Sequence, residues 1–157
     1  MMQRAYCPEY KSAHPTYDDV TVCEEWHCFQ NFAEWVCARK QYGMYGFNLD
    51  KDLIKPGNKV YCPEYCSLVP QEINKLTVRK SRVRSIPQGV VDYGTYFVAK
   101  CRTEDDNVYL GTFNCPEIAG EAYRKFKKEV IVKTANKFKD QIDDLVYEAL
   151  LNFEVEW

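Results

Sequence analysis

The sequence has no long apolar run and no start typical of a secreted protein. No stretch approaches the roughly 18 consecutive apolar residues that a membrane-spanning helix requires. The opening MMQRAYCPEY lacks the basic and then apolar layout of a secretory signal peptide. We therefore expect a soluble, cytoplasmic protein without a membrane partner.

Histidine is also scarce, with two in the chain, whereas cysteine is abundant, with eight. Without a secretory context, cysteines are more often reduced thiols than disulfides. Zinc sites commonly open with a C-x(2–4)-C pair, a spacing that Cys62 and Cys66 fit and whose upper limit Cys23 and Cys28 reach. We expect dispersed thiols, with a zinc site as the minor alternative.

No excess of one charge marks the whole chain, whose formal net charge is −2, but the charge is unevenly distributed. Residues 1–74 carry seven Lys/Arg and ten acids, a net of −3, and residues 104–157 carry seven and twelve, a net of −5. Residues 75–103 carry seven and one, a net of +6. Within them KLTVRKSRVRSIPQG contains no acid, and its cations are Lys75, Arg79, Lys80, Arg82 and Arg84. Such a segment fits along phosphates or serves as a solvated linker, and charge alone leaves both open.

Length and composition suffice for a packed core. The chain has 157 residues, of which 46% are apolar and 15% aromatic, enough for one domain or two small ones. Pro87 and Gly89 punctuate the basic segment, which is typical of a boundary. We predict a first module over residues 1–76, a basic linker over 77–88 and a second module over 89–157.

The second module has the pattern of a small antiparallel sheet packed on a helix. TYFVAKCR (95–102) and VYLGTF (108–113) are rich in β-branched and aromatic residues, and the turn cluster EDDN (104–107) separates them. From Pro116 the period becomes helical, with an apolar stripe of Ile118, Ala119, Ala122, Tyr123, Phe126 and Val130. The overall class is therefore predicted to be α+β.

Two further helical patterns flank this unit. In residues 140–153 the apolar stripe comprises Ile142, Leu145, Val146, Ala149, Leu150 and Phe153. This helix either covers the sheet module or forms a dimer contact, so the oligomeric state stays open. In residues 14–36 the aromatic stripe of Trp26, Phe29, Phe32, Ala33 and Val36 is predicted to be core.

The segment GVVDYGTYFVAKC followed by VYLGTFNCPEIAGEAYRKF resembles the plant ethylene-response-factor (AP2-type) DNA-binding domain. That family lays its three-stranded sheet in the major groove, where Arg and Trp side chains contact phosphates and bases. The resemblance implies DNA contacts at Tyr93, Tyr96, Lys100, Arg102 and Tyr109, with the arm residues Arg79, Lys80, Arg82 and Arg84 on phosphates. Val91 and Asp92 stand where an Arg is usual, and Tyr93 and Tyr109 replace tryptophans.

The span 1–84, with VTVCEEWHCFQNFAEW, LDKDLIKPGNKVY and LVPQEINKL, resembles the phage-encoded relatives of the His-Asn-His homing endonucleases. The resemblance implies a degenerate ββα (His-Me finger-like) module ahead of the sheet domain. In an active member a His activates water while a metal ion neutralises the leaving oxygen. No His occurs in residues 47–74, so Asp50 or Lys51 would have to replace it. Asn58 and Asn74 match the amide and final positions, and Asp50 and Asp52 would bind Mg²⁺.

Together these resemblances imply a phage-encoded protein of homing-endonuclease lineage that binds double-stranded DNA in the host cytoplasm. The missing His and the few basic sheet positions predict reduced or absent nuclease activity. One alternative is a catalytically silent scaffold that inhibits a host defence complex, for example a CRISPR complex, which the acidic flanking segments favour through charge complementarity. A second alternative is an active, Mg²⁺-dependent nicking endonuclease.

Overall fold

The computed structural model describes residues 1–77, 85–103 and 106–155. Over these residues the chain combines six α-helices with three small β-sheets, which confirms the predicted α+β class. The four arm residues Arg79, Lys80, Arg82 and Arg84 lie outside the described residues, so their contact with phosphates stays a prediction. None of the described helices combines the length and apolar character needed to cross a membrane.

The first half of the chain is built from short elements. The helices are α1 (Met2–Tyr6), α2 (Pro8–Ala13), α3 (Phe29–Cys37) and α4 (Gln71–Thr77), with 3-10 turns at Pro15–Tyr17 and Glu24–His27. The strands are β1 (Thr21–Val22), β2 (Phe47–Asp50), β3 (Val60–Tyr61) and β4 (Ser67–Pro70). β1 pairs in parallel with β3, and β2 pairs antiparallel with β4. The β2–β4 pair followed directly by α4 gives this half a ββα arrangement.

An aromatic core holds the N-terminal elements together. Trp26 and Tyr61 are buried in it, with Phe32 and Trp35 packed against them. The aromatic stripe predicted for residues 14–36 is confirmed as core at Trp26 and is wrong at Phe29. Trp26 is buried but lies in the 3-10 turn before α3, and Phe29, the first residue of α3, is 71% exposed. The change from 3-10 to α geometry breaks the assumed single helical period, so the two side chains do not share a face.

The second half contains the predicted sheet. Its strands are β5 (Val90–Asp92), β6 (Phe97–Arg102) and β7 (Asn107–Phe113), in the antiparallel order β5-β6-β7. The two strands predicted from sequence are confirmed. Of the predicted turn at 104–107, Asn107 already belongs to β7, while residues 104–105 lie outside the described ranges.

Helix α5 (Pro116–Lys137) packs its first half on this sheet. Pro116 occupies its first turn after the N-cap Cys115, as the sequence predicts. Ala119 and Tyr123 are buried, but Ile118 is 54% exposed, so its place in the buried stripe is wrong. The face of α5 that is in contact is centred on Ala119 and Gly120, because the helix approaches Pro87 closely there. A Cβ on Gly120 would lie 2.7 Å from Pro87 Cβ.

A central core joins the two halves of the chain. The second half of α5 contributes Ile131 and Ala135, and helix α6 (Asp144–Leu151) contributes Val146 and Leu150. They pack with Ile142 and with residues from before the basic segment, namely Leu53, Val69 and Ile73. α6 therefore packs within its own chain, on α5 and the β4–α4 region. Leu145, predicted in its buried stripe, is 60% exposed, because Val146 and Leu150 face the core.

Helix α5 is consequently shared by two packing units. Its 22 residues span about 33 Å at the usual rise of an α-helix. The first half covers the three-stranded sheet, and the second half lies in the central core. Both packing units therefore depend on one continuous helix.

The tripeptide Cys-Pro-Glu occurs three times, at 7–9, 62–64 and 115–117. Cys7 and Cys115 are the N-caps of α2 and α5, with the proline at the first helical position. In these two copies the cysteine thiol donates a hydrogen bond to the glutamate two residues later. Each tripeptide begins a helix or a turn, and all eight cysteines of the chain are free thiols.

Candidate functional site

The sheet presents one open face, on the side away from α5. On β6, Ala99 and Cys101 are buried, whereas the alternate residues Lys100 and Arg102 reach the other face. Lys100 lies opposite Tyr109 in the register, and Arg102 lies opposite Asn107. Directly opposed residues of antiparallel strands share a face. Each of these two cations therefore lies beside an aromatic or polar side chain of β7.

A β-bulge sets which residues of β7 join this face. The β6–β7 register shifts between Ala99 and Lys100, and Gly111 in the bulge has φ +139°. The shift places Tyr109 and Thr112 on the same face although they are three residues apart, and their hydroxyl oxygens lie 2.6 Å apart. The bulge thereby orients the exposed ring of Tyr109.

The β5–β6 hairpin adds two more exposed aromatic rings. Tyr93 and Tyr96 stack with centroids 5.1 Å apart and an interplanar angle of 14°. Gly94, with φ +82°, makes the turn, and its N–H donates to Asp92 Oδ1 at 2.6 Å. Tyr93 N also donates to Tyr96 O at 3.0 Å. The turn thus holds the tyrosine pair in a fixed position at one end of the face.

The charge of this face is positive and accessible. Arg102 is exposed and Lys100 is half-buried. Neither cation forms an ion pair with a carboxylate anywhere in the described part of the chain. The predicted sheet residues therefore form one surface, here termed the open sheet face, made of Tyr93, Tyr96, Lys100, Arg102 and Tyr109.

The predicted catalytic residues come together only in part, in the loop between β2 and β3. Asp50 Oδ1 accepts backbone N–H bonds from Asp52 at 3.0 Å and from Leu53 at 2.7 Å. Lys51 Nζ donates to Asp52 Oδ2 at 2.9 Å and to Asn58 O at 3.0 Å, and its side chain is 11% exposed. Lys51 and Asp52 thus pair with each other, whereas Asp50 is held by backbone amides.

Asn58 completes the same network and is itself buried, at 8% exposure. Its Nδ2 donates to the carbonyl oxygens of Lys51 at 2.6 Å and Val60 at 2.7 Å, and its Oδ1 accepts from Val60 N at 3.3 Å. We call residues 50–58 the Asp50 loop. Asn74 lies in the middle of α4, and among the described contacts no hydrogen bond ties its side chain to this loop.

Burial, reinforced by repulsion from Asp52, raises the pKa of the Asp50 carboxyl. Burial also raises the pKa of the neighbouring Cys66 thiol to about 12, so this thiol keeps its proton at neutral pH. Asp50 is paired in the β2–β4 register with Ser67, whose buried Oγ has no hydrogen-bond partner in the part of the chain that the structure describes. Asp50 and Asp52 are adjacent carboxylates, but the described residues contain no cluster of three or more His, Cys, Asp or Glu suited to a metal ion.

Three features of the site were not foreseen from the sequence. They are the bulge at Gly111, the placement of Thr112 beside Tyr109, and the enclosure of Asn58 in the Asp50 loop. Only the first had a signal, since an isolated Gly within a strand pattern indicates a bulge. The network around Asn58 depends on backbone groups, which carry no signature in the residue types.

No protein-family model matches the chain, and the searches of curated proteins and of solved structures found no significant match.

Proposed function

We propose that this protein binds double-stranded DNA through the open sheet face. One observation carries the proposal: Lys100 and Arg102 lie beside three exposed tyrosines on one surface, without a carboxylate partner among the described residues. Cations provide the sequence-independent attraction to phosphates that dominates DNA affinity. The phage origin and homing-endonuclease lineage implied by the sequence resemblance belong to the same proposal.

The shape of the face suits the major groove. A twisted β-ribbon fits this groove, where an Arg side chain can donate two hydrogen bonds to a guanine edge. Arg102 is the exposed arginine of the face and the candidate for such a contact. Lys100, on the same strand, then contacts a phosphate, as do the arm residues Arg79, Lys80, Arg82 and Arg84.

We further propose that nuclease activity is reduced or absent. An active site needs a base free to take a proton and carboxylates free to bind Mg²⁺. In the Asp50 loop, Lys51 is engaged by Asp52 and by the Asn58 carbonyl, and Asp50 accepts two backbone amides. These bonds support a structural role for the loop.

The decisive experiment is fluorescence anisotropy with a labelled mixed-sequence duplex at about 50 and 200 mM salt, where phosphate-driven binding weakens steeply. We expect Lys100→Ala with Arg102→Ala to weaken binding, to lower the slope of log K against log[salt] by about 0.9 for the phosphate contact of Lys100, and to relax the preference at one position through the loss of Arg102. If Arg102 instead contacts a phosphate, the slope falls by about 1.8 and no preference changes.

The matched control is Lys125→Ala with Lys133→Ala, which removes the same charge from exposed positions outside the sheet. This pair should leave the salt slope unchanged. Equal losses in both double variants would contradict a specific role for the open sheet face. No duplex binding at either salt would reject duplex DNA as the ligand and favour the alternative, a basic host defence protein bound by the acidic segments, net −3 and −5.

Catalysis is tested separately, by conversion of supercoiled plasmid to the nicked form with millimolar Mg²⁺. We expect no nicking by the natural protein. Nicking that disappears in the double variant Asp50→Asn, Asp52→Asn would instead establish an active endonuclease with these carboxylates at its metal site.

A further inference from the structure

Residues 39–46, here termed the tyrosine loop, form an exposed aromatic projection between α3 and β2. Arg39 and Lys40 open the loop, and no acid occurs from position 35 to position 49. The exposed apolar side chains are Tyr42, Met44 and Tyr45, the last of them fully exposed. Large apolar groups that project from a surface in one short segment mark an interaction site.

The base of the loop is fixed to the rest of the molecule. Gln41, 1% exposed, donates from Nε2 to Gln141 O at 3.0 Å and to Asp143 Oδ1 at 3.1 Å. At its other end, Gly46 O accepts a bond of 2.9 Å from Gln71 N. The two tyrosines are therefore presented from an anchored base, which limits the entropy lost when a ligand covers them.

Arg39 is also held in place before any ligand arrives. Its guanidinium lies over the Trp35 ring, 4.2 Å from the centroid, and its buried Nε has no hydrogen-bond partner within residues 1–77, 85–103 and 106–155. Stacking covers one face of the guanidinium and leaves the N–H donors at its edge. Such an arginine suits a phosphate oxygen.

We propose that the tyrosine loop binds unpaired nucleotides, with the rings of Tyr42 and Tyr45 stacking on bases and with Arg39 and Lys40 on the flanking phosphates. The inference deepens the proposed function and rests on it in that the ligand is nucleic acid. It adds a second contact, for single-stranded DNA, beside the duplex contact of the open sheet face.

Two physical considerations select this ligand. Paired bases in a duplex have their faces covered by neighbouring base pairs, so a protruding ring can stack only on an unpaired base. An anionic ligand is favoured because residues 35–49 carry Arg39 and Lys40 and no acid, while the Asp143 carboxylate at the base of the loop accepts a hydrogen bond from Gln41. Nucleic acid combines flat rings with regularly spaced anionic groups, whereas an acidic protein surface supplies chiefly the charge.

The test measures the affinity of the full chain for a fluorescein-labelled oligo-dT of about 12 nucleotides, within the usual range of single-strand site sizes. We expect Tyr42→Ala and Tyr45→Ala each to weaken this binding about fivefold or more, as loss of a stacked base does. Tyr42→Phe and Tyr45→Phe, which keep the ring, should retain affinity near that of the natural protein. Duplex affinity should change little in all four variants.

Absent oligo-dT binding by the natural protein, or unchanged binding by the alanine variants, would overturn the inference and leave the loop to a protein partner. Phenylalanine variants as weak as the alanine variants would overturn stacking as the mechanism. The two proposals fail separately: loss of duplex binding in the Lys100, Arg102 double variant tests the sheet, while the tyrosine variants test the loop. Oligo-dT binding without any duplex binding would reject the proposed function and support this inference.

Discussion

The side chain of Asn58 supplies several hydrogen bonds that backbone groups of the Asp50 loop would otherwise lack. Its amide bonds to groups of Lys51 and Val60, and it is buried. An unsatisfied buried polar group costs about 1–3 kcal/mol, far more than the net gain of one ordinary hydrogen bond. Asn58 therefore stabilises the loop, because without its amide these carbonyl oxygens would lose their donor.

We accordingly expect Asn58→Ala to lower the free energy of unfolding by about 2–3 kcal/mol, since two carbonyls lose their donor. Urea denaturation measures the change. Asn114→Ala, at an exposed position, is the control and should cost little. A loss below about 0.5 kcal/mol for Asn58→Ala would mean that water replaces the amide, as at a surface site.

Asp50 predicts a pH dependence of stability. Because burial and Asp52 raise its pKa in the folded state, the native protein holds this proton more tightly than the unfolded chain does. The native state then loses relative stability as pH rises from the ordinary carboxyl pKa, about 3.9, through the raised native value. Above that window the penalty is constant.

Asp50→Asn removes this titration but keeps an oxygen for the two backbone amides. The variant should therefore be more stable than the natural protein at pH 7, and its advantage should vanish as pH falls through the same window. Urea midpoints between acid and neutral pH measure it, with the exposed Asp19→Asn as the control for net charge. An advantage that grows at low pH would contradict the raised pKa.

At the scale of elements, the contact between the sheet and α5 depends on close backbone approach. Gly89 has φ +77°, and a Cβ there would lie 2.0 Å from Tyr123 Cδ2. Gly94 has a similar φ of +82° but open space around it. The two glycines separate the cost of the left-handed backbone from the cost of a steric clash.

Gly94→Ala should destabilise by about 1–2 kcal/mol, the penalty of the left-handed conformation alone. Gly89→Ala should cost about 1–3 kcal/mol more, because the sheet must move away from the Tyr123 ring. Thermal or urea unfolding of the two variants gives the difference. Equal losses would show that the ring yields freely, and the packing of α5 on β5 would then be looser than the distances indicate.

Local patterns predicted the elements of the second half. The alternation in β6 and β7 and the helical period after Pro116 come from residues that contact their own neighbours, so sequence alone recovers them. The tyrosines and cations of the open sheet face were predicted from the resemblance to the ethylene-response-factor domain, and alternation along β6 places Lys100 and Arg102 on one face. The shift at Gly111 was not predicted, although it decides the face of each β7 residue before it.

What escaped prediction depends on distant partners. Helical periodicity placed Ile118 and Leu145 on buried faces, but which face of a helix is buried depends on the residues that the helix packs against. Helix α5 packs against Pro87, and helix α6 packs in the central core. Neither contact has a local signature, because loop and core residues meet their helices only after folding.

At the scale of the whole molecule, α5 links the stability of both halves. Ile131, 1% exposed, packs in the central core with Leu53, Val69 and Ile73, which precede the basic segment. A residue of the second half thus stabilises elements of the first. The protein should consequently unfold in one transition despite the basic segment at its middle.

Ile131→Ala should lower the free energy of unfolding by about 2–5 kcal/mol and shift the transition reported by Trp26 and Trp35 in the N-terminal core. A Trp157→Phe background confines the fluorescence to these two residues. Ile118→Ala on the same helix is the exposed control and should cost under about 1 kcal/mol. A fluorescence midpoint unmoved by Ile131→Ala would show that the first half folds independently.

The three Cys-Pro-Glu tripeptides give the molecule its own chemical reporters of local opening. Cys7 and Cys115 are partly accessible, whereas Cys62 is buried, so an alkylating reagent meets the same tripeptide at different degrees of protection. Peptide mapping after timed alkylation would then follow the N-terminal helices, the middle of the chain and the start of α5 in a single sample. Modification of Cys62 would record how often the interior of the unaltered protein becomes accessible to solvent.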